Sequence, residues 1–245
     1  MDPSVLEAMR RWPDVPAVYG WLSLTPRGEW RLHPLGDAKQ GGAGEGIRNE
    51  QILAFINRNY LSDQDGCWFF QNGPQRVFVR IDSAPLILRV DPMAGHLSTH
   101  DGYEIQQVHH WWMDELGRLF AQTDAGPGMV DDRDLMSLCD ALQSVEGLSL
   151  MDLLEKLASR HVAPTGKPSS DASAARVANT VHSTAAASSA PQMISTGLFD
   201  PTGLYAALAQ PAPLKRVDAH RIPSCLGFVA NPGPQTTHET SQALE

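Results

Sequence analysis

The chain has 245 residues, and 19 Lys and Arg against 28 Asp and Glu give it a formal net charge of −9 at pH 7. Duplex nucleic acid and anionic membranes are bound through clustered basic side chains, so this acidity makes both poor partners. No apolar run approaches the roughly 20 residues that a membrane-spanning helix needs, and the charged N-terminus lacks the apolar core of a signal peptide. We therefore expect a cytoplasmic protein that binds neither nucleic acid nor membrane.

The cysteines are Cys67, Cys139 and Cys225. They are odd in number and far apart, which favours neither a disulfide framework nor a cysteine-based zinc site.

The first half of the chain carries the residues of a core. Most of the six tryptophans lie between Tyr19 and Trp112, among Val, Leu, Ile and Phe. A segment of this density can bury a sizeable apolar core. Residues 18–24 and 29–33 alternate between apolar and polar on either side of a Pro- and Gly-containing turn, which predicts a hairpin.

The next segments predict one helix and a series of strands. Asn49 is placed to cap a helix that runs to about Tyr60, because Ile52, Phe55 and Ile56 recur at helical spacing. Short strand-like runs follow at residues 67–70, 76–80, 86–90, 96–100, 104–113 and 118–122. Strands that are near neighbours in sequence favour antiparallel pairing. The sequence therefore predicts an α+β fold: a curled antiparallel β-meander with one helix packed on it, followed by short helices and a flexible tail.

The second half of the chain is expected to divide at changes in composition. Residues 1–160 form the predicted compact domain, which ends in a short helix with a leucine stripe from Leu150 to Leu157. Residues 161–196 are rich in Ala and Ser without hydrophobic periodicity, which predicts a disordered linker. Residues 197–230 are expected to dock back on the domain through a short helix starting at Asp200 and a strand at 226–229. Residues 231–245 are expected to be a disordered tail.

Amide and guanidinium side chains are interleaved with aromatic residues between positions 57 and 76. Such a mixture can line a pocket, because aromatic rings supply apolar area while amides and arginine form directed hydrogen bonds. The same residue types also suit a hairpin beside a helix end, where Asn and Gly serve the backbone. The candidate ligand-binding or partner-binding residues are Asn57, Arg58, Asn59, Tyr60, Trp68, Gln71, Asn72, Gln75 and Arg76.

Histidines cluster between positions 96 and 110. His96 and His100 would point to the same face of a strand, and with a carboxylate such as Glu104 they supply the ligands of a facial iron or zinc site. A turn at Asp101 would separate these histidines from the residues that follow, and histidines at hairpin ends are also commonly solvated or bonded to the backbone. A metal bound by His96 and His100 is therefore an alternative hypothesis for this cluster. We expect no cofactor.

Three strings in the first domain are distinctive. They are FINRNY at 55–60, WFFQNGPQRV at 68–77 and GPGMVDDRD at 126–134. They resemble a proteobacterial family of uncharacterised proteins, a domain of unknown function, over roughly residues 15–142 and a short piece at 227–229. The resemblance implies relatives but no reaction, cofactor or catalytic residue.

No complete catalytic motif is present: the sequence lacks Gly-x-Ser-x-Gly, His-Glu-x-x-His and the dinucleotide fingerprint. We therefore interpret the chain as a non-enzymatic binding module for a small ligand or a protein segment. Two alternatives stay open. One is a metal-assisted enzyme that uses His96 and His100, and the other is an assembly partner that joins through the stripe from Leu150 to Leu157.

Overall fold

The computed structural model describes residues 1–153, 155 and 192–234. Within these residues the strands form a six-stranded and an eight-stranded sheet, with short helices packed around them. The α+β class predicted from the sequence is confirmed. Most of the predicted linker at 161–196 and of the predicted tail at 231–245 lies outside the described residues.

The first sheet contains the N-terminal hairpin and the aromatic hairpin side by side. Its strands are β1 (Val18–Leu24), β2 (Trp30–Leu32), β3 (Glu45–Gly46), β4 (Tyr60–Ser62), β5 (Trp68–Asn72) and β6 (Gln75–Ile81). They lie in the order β3-β2-β1-β6-β5-β4. β1 and β6 are parallel, with Val18 beside Val77, and the register shifts between Val18 and Leu22. Gly20 lies at this irregularity with a φ of 83°, a conformation that favours glycine.

The second sheet brings together strands from the middle and the end of the chain. Its strands are β7 (Leu86–Asp91), β8 (His96–Thr99), β9 (Val108–Met113), β10 (Leu119–Thr123), β11 (Gly126–Val130), β12 (Gln143–Ser144), β13 (Gln192–Phe199) and β14 (Ala212–Arg216). They lie in the order β12-β13-β14-β9-β10-β11-β7-β8. The pairs β7–β11 and β9–β14 are parallel. The strands therefore depart from a simple antiparallel meander, because the structure pairs segments that are distant in sequence.

The described helices are short. They are α1 (Pro3–Arg11), α2 (Glu50–Arg58), α3 (Leu135–Ala141), the residues 150–153 that begin α4, and α5 (Ile222–Leu226). The prediction of α2 is confirmed, and the Asn49 side chain caps it by accepting hydrogen bonds from the backbone N–H of Gln51 and Ile52. None of the described helices is long and apolar enough to cross a membrane.

The segment after β13 differs from its prediction. The prediction of a helix starting at Asp200 is wrong. The Asp200 carboxylate accepts hydrogen bonds from the backbone N–H of Thr202 and Tyr205, each at 2.8 Å, and so stabilises a turn. A short 3-10 helix, Ala206–Leu208, follows this turn. The Asp200 side chain competes here with helix formation, as short polar side chains do in turns.

The last described residues return to the first sheet, although not as a strand. Phe228 is buried, the Val229 N–H donates to the Gly66 carbonyl at 2.9 Å, and the Ile81 N–H donates to the Ala230 carbonyl at 2.7 Å. The strand predicted over 226–229 is therefore wrong, because Leu226 ends α5. The division of the chain into a domain at 1–160, a linker and a returning segment stays a prediction.

One cluster of buried side chains runs through both sheets. The Tyr60 ring packs edge-on against Trp30, and its hydroxyl donates to the Pro85 carbonyl at 3.1 Å, just before β7. Leu150 and Leu153 are also buried in this cluster. These two members of the leucine stripe are therefore unavailable to an assembly partner, while Leu154 and Leu157 lie outside the described residues.

Candidate functional site

The pairing of β5 with β6 divides the predicted binding residues between two faces of the first sheet. Gln71 lies opposite Arg76, and Phe70 lies opposite Val77. Successive side chains of a strand point to opposite faces. Phe70 and Val77 therefore share the face covered by α2, whereas Gln71 and Arg76 share the face covered by α1. The nine residues do not form one site.

A groove lies between α2 and the first sheet, with a volume of about 660 Å³. Its lining is largely apolar and comes from the sheet strands and from one side of α2, including Val18, Leu22, Leu32, Ile52, Ile56 and Phe70. Three of its aromatic and aliphatic side chains are substantially exposed: Trp21 at 44%, Leu32 at 40% and Ile52 at 50%. Exposed apolar side chains that adjoin one another mark binding surfaces.

Polar side chains surround the mouth of this groove. Asn72 and Gln75 form a cross-strand pair, so both lie on the groove face near the hairpin turn. Glu45 and Arg48 lie on the other side, both exposed. Among the described residues Arg48 forms no ion pair. The rim therefore presents hydrogen-bond donors and acceptors around an apolar interior.

A second cavity lies on the opposite face, beneath α1 and the residues that follow it, with a volume of about 440 Å³. Gln71 and Arg76 line it together with Met9 and Trp12 of the N-terminal segment. No sequence pattern predicted α1, so the roof of this cavity was missed.

Three of the predicted binding residues instead hold the fold together through hydrogen bonds. The Asn57 side chain accepts from the Trp30 indole N–H at 2.8 Å. The buried Asn59 side chain accepts from the Asp2 backbone N–H at 2.8 Å. The Arg58 guanidinium forms an ion pair with the Asp2 carboxylate at 3.0 Å. The contacts of Asn59 and Arg58 with Asp2 fix the start of α1 against the end of α2, and the Asn57 contact joins α2 to β2.

Two further predicted residues belong to the core. Tyr60 and Trp68 are both 7% exposed, and their rings lie 4.8 Å apart. Burial raises the pKa of Tyr60 well above its ordinary value of 10.0, so its hydroxyl stays protonated. Neither residue lines the groove or the second cavity.

The structure places His96 and His100 in different surroundings. His96 is exposed at the start of β8, whereas Nδ1 of His100 accepts a hydrogen bond from the Ile87 N–H at 3.2 Å. Nε2 of His100 is buried without a hydrogen-bond partner. The described part of the chain contains no group of three or more His, Cys, Asp or Glu side chains that could hold a metal ion. The metal site therefore stays a hypothesis to which this geometry lends no support.

A hydrogen-bonded chain of Ser23, His33 and Asp37 was not predicted. Ser23 Oγ lies 2.8 Å from His33 Nε2, and His33 Nδ1 lies 3.2 Å from Asp37 Oδ1. This is the connectivity of a nucleophilic triad. The sequence did contain a signal for this arrangement, because Ser23 and His33 fall on the two arms of the predicted hairpin and Asp37 follows His33 by four residues.

The burial of Ser23 and His33 distinguishes a catalytic role for this chain of polar groups from a structural one. Ser23 and His33 are both 0% exposed. The loop that covers them is so close that a Cβ at Gly44 would lie 2.7 Å from His33 Nε2. A substrate carbonyl cannot reach the Ser23 hydroxyl through this cover. We therefore interpret the three residues as a structural link between β1, β2 and the loop that leads to β3.

The family model DUF2944, described as "Protein of unknown function (DUF2946)", matches residues 1–233. The chain belongs to this family. Membership confirms the resemblance to a domain of unknown function, whereas the proteobacterial origin of that family stays a prediction. No curated protein matches the DUF2944 chain significantly.

Solved structures with a distant likeness to this DUF2944 member include two DUF1285 family proteins. The one from Silicibacter pomeroyi DSS-3 is 12% identical, with a TM-score of 0.41, and the match covers 62% of this chain and 90% of that chain. The one from Shewanella baltica OS155 is 14% identical, with a TM-score of 0.35, and the match covers 49% of this chain and 90% of that chain.

Proposed function

We propose that this protein binds a small, largely apolar molecule in the groove between α2 and the first sheet. The observation that carries the proposal is the apolar cavity of about 660 Å³ with Trp21, Leu32 and Ile52 exposed at its surface. Small-molecule sites are concave, mostly apolar and about 300–1,000 Å³ in volume. Covering these side chains with a ligand removes apolar surface from water, which is favourable at about 25 cal/mol per Å².

The rim supports a ligand that carries one polar end. Asn72 and Gln75 offer amide groups, of which the Gln75 Nε2 already donates to the Pro16 carbonyl at 3.2 Å. Arg48 offers a guanidinium, and Glu45 offers a carboxylate. A group that both accepts and donates hydrogen bonds, such as an amide or a hydroxyl, is complementary to this mixed rim. The apolar body of the ligand would contact Ile52 and the strands beneath it.

A fluorescence titration with the neutral apolar dye Nile red tests the proposal. Ile52→Glu places a carboxylate in the groove, and Leu116→Glu makes the same change at a turn residue that is 71% exposed and outside the groove. Because a carboxylate is costly to desolvate, we expect Ile52→Glu to weaken dye binding at least about tenfold. Leu116→Glu is expected to bind like the parent.

Thermal unfolding shows whether both variants fold. Both positions are at least half exposed, and exposed substitutions usually change stability by no more than about 0.5 kcal/mol. Dye binding that is equal in the parent and in both folded variants would contradict the proposal.

A further inference from the structure

The cavity beneath α1 is separate from the groove, because it lies on the other face of β5 and β6. It has a volume of about 440 Å³. Met9 and Trp12 supply apolar contacts, and Gln71 and Arg76 supply polar ones. The roof is held in place where Arg58 pairs with Asp2 at the start of α1.

Arg76 lines this cavity and Arg11 stacks on Trp12 in its wall, although the whole chain is acidic. The Arg76 guanidinium lies 4.8 Å from the centre of the Phe69 ring, and the Arg11 guanidinium lies 4.8 Å from that of Trp12. Within the described residues neither arginine forms an ion pair. Stacking on an aromatic ring orients a guanidinium while leaving its N–H groups free to bind a carboxylate.

The Gln71 side chain adds an acceptor. Gln71 is 1% exposed, its Nε2 donates to the Gly73 carbonyl at 2.8 Å, and its Oε1 has no hydrogen-bond partner. A buried carbonyl oxygen without a donor is unfavourable, so a donor brought in by a ligand is stabilised there. The acceptor and the cation lie directly opposite each other, because Gln71 and Arg76 are a cross-strand pair.

We propose that this cavity is a second binding site, for a small carboxylic acid that carries a hydroxyl or amino group on the neighbouring carbon and an apolar substituent. Arg76 binds the carboxylate and Gln71 Oε1 accepts the hydrogen bond of the neighbouring donor. The apolar substituent contacts Met9 and Trp12. Paired N–H groups of arginine match the two oxygens of a carboxylate, which sets this class apart from neutral ligands.

The probe is 2-hydroxy-4-methylpentanoate, followed by NMR through the Trp12 indole N–H signal, which a Trp12→Phe variant assigns. Two comparison molecules each lack one group: 4-methylpentanoate has no hydroxyl, and 4-methylpentane-1,2-diol has no carboxylate. We expect the hydroxy acid to bind most tightly, with affinity lower by about tenfold without the carboxylate and about fivefold without the hydroxyl.

Exposed arginines provide matched variants. Arg76→Gln is expected to weaken the hydroxy acid about tenfold and to leave the diol unchanged. Arg48→Gln, which removes the same charge at the groove, is expected to leave both unchanged. Ile52→Glu also leaves the hydroxy acid unchanged, so a failure of this site is distinguishable from a failure of the groove.

Three results would overturn the proposal. One is the absence of saturable shifts with all three molecules. Another is equal weakening by Arg76→Gln and Arg48→Gln. The third is 4-methylpentanoate binding as tightly as the hydroxy acid, which would mean that water and not a ligand satisfies Gln71.

Discussion

Phe70 and Gln71 are neighbours in β5, but Phe70 lines the groove beneath α2 while Gln71 lines the cavity beneath α1. Strand alternation sends their side chains to opposite faces of the first sheet. Each face is covered by a different helix, so one hairpin contributes to two separate binding surfaces. The apolar groove carries the proposed function, and the cavity beneath α1 carries the second, carboxylate site.

Removal of the Ser23 hydroxyl should destabilise the protein. In Ser23→Ala the buried His33 Nε2 loses its partner at 2.8 Å. A buried polar group left without a partner costs about 1–3 kcal/mol, and we expect the free energy of unfolding to fall by that amount. Urea denaturation measures it. Ser62→Ala, at an exposed strand position, is the control and should change stability by less than about 0.5 kcal/mol.

Labelling with a fluorophosphonate probe tests whether Ser23, His33 and Asp37 have a purely structural role. Such probes label serines that are accessible and activated by a neighbouring base. Because Ser23 is fully buried, we expect no labelling of the folded protein. Covalent labelling of the parent that is lost in Ser23→Ala would contradict a purely structural link and indicate a nucleophile.

Local patterns predicted the elements that depend on local physics. Asn49 was identified as a helix cap from its position before an amphipathic run, and its side chain does cap α2. β11 was missed because Gly126–Val130 begins with Gly-Pro-Gly, which is typical of a loop. The reason it forms a strand is tertiary: β11 pairs with β10 and β7, and a Cβ at Gly128 would lie 2.7 Å from Leu88 Cδ2.

The candidate sites depend on contacts that no local pattern contains. Val18 and Val77 lie together on the groove face because β1 and β6 are parallel neighbours, a pairing across a long stretch of chain. The aromatic and amide composition of residues 57–76 drew attention to the correct hairpin. It did not separate the residues that line cavities from those, such as Asn59, that hold backbone groups in place.

The stability of the protein should fall in mild acid because of His100. Burial lowers the pKa of His100 to about 4 from its ordinary value of 6.5, and Asp101 offsets only part of this. Below about pH 6.5 the unfolded chain takes up the proton while the folded chain does not. We therefore expect the free energy of unfolding to fall by up to about 3 kcal/mol between about pH 6.5 and about pH 4.

Urea denaturation across this pH range, with two Asn variants, measures the effect. His100→Asn keeps an acceptor for the Ile87 N–H but cannot titrate, so its stability should depend less on pH. His96→Asn changes an exposed histidine and should keep the pH dependence of the parent. An unchanged slope in His100→Asn, or an equal loss of slope in His96→Asn, would refute the assignment to His100.

Asp131 should cause a second loss of stability at lower pH. Its buried carboxylate accepts hydrogen bonds from the Arg133 side chain at 2.6 and 2.9 Å, and these contacts lower its pKa to about 2 from 3.8. The stabilisation is present above about pH 4 and is lost as the pH falls toward 2, by about 2 kcal/mol.

Asp131→Asn should remove that part of the acid transition and lower the free energy of unfolding near pH 7. Asp132→Asn is the matched control, because the side chain of Asp132 is 62% exposed in its ion pair with Arg27. An exposed pair contributes about 0–1 kcal/mol. Equal stability losses in the two variants would show that burial of Asp131 has no energetic consequence.

Native mass spectrometry of the protein purified from its own host shows whether the α2 groove holds a ligand. We expect the intact mass to exceed the mass of the denatured chain by that of a small organic molecule. The excess should be lost in Ile52→Glu and kept in Leu116→Glu. A parent protein without any bound molecule, or a ligand that both Ile52→Glu and Arg76→Gln retain in full, would contradict binding in the α2 groove.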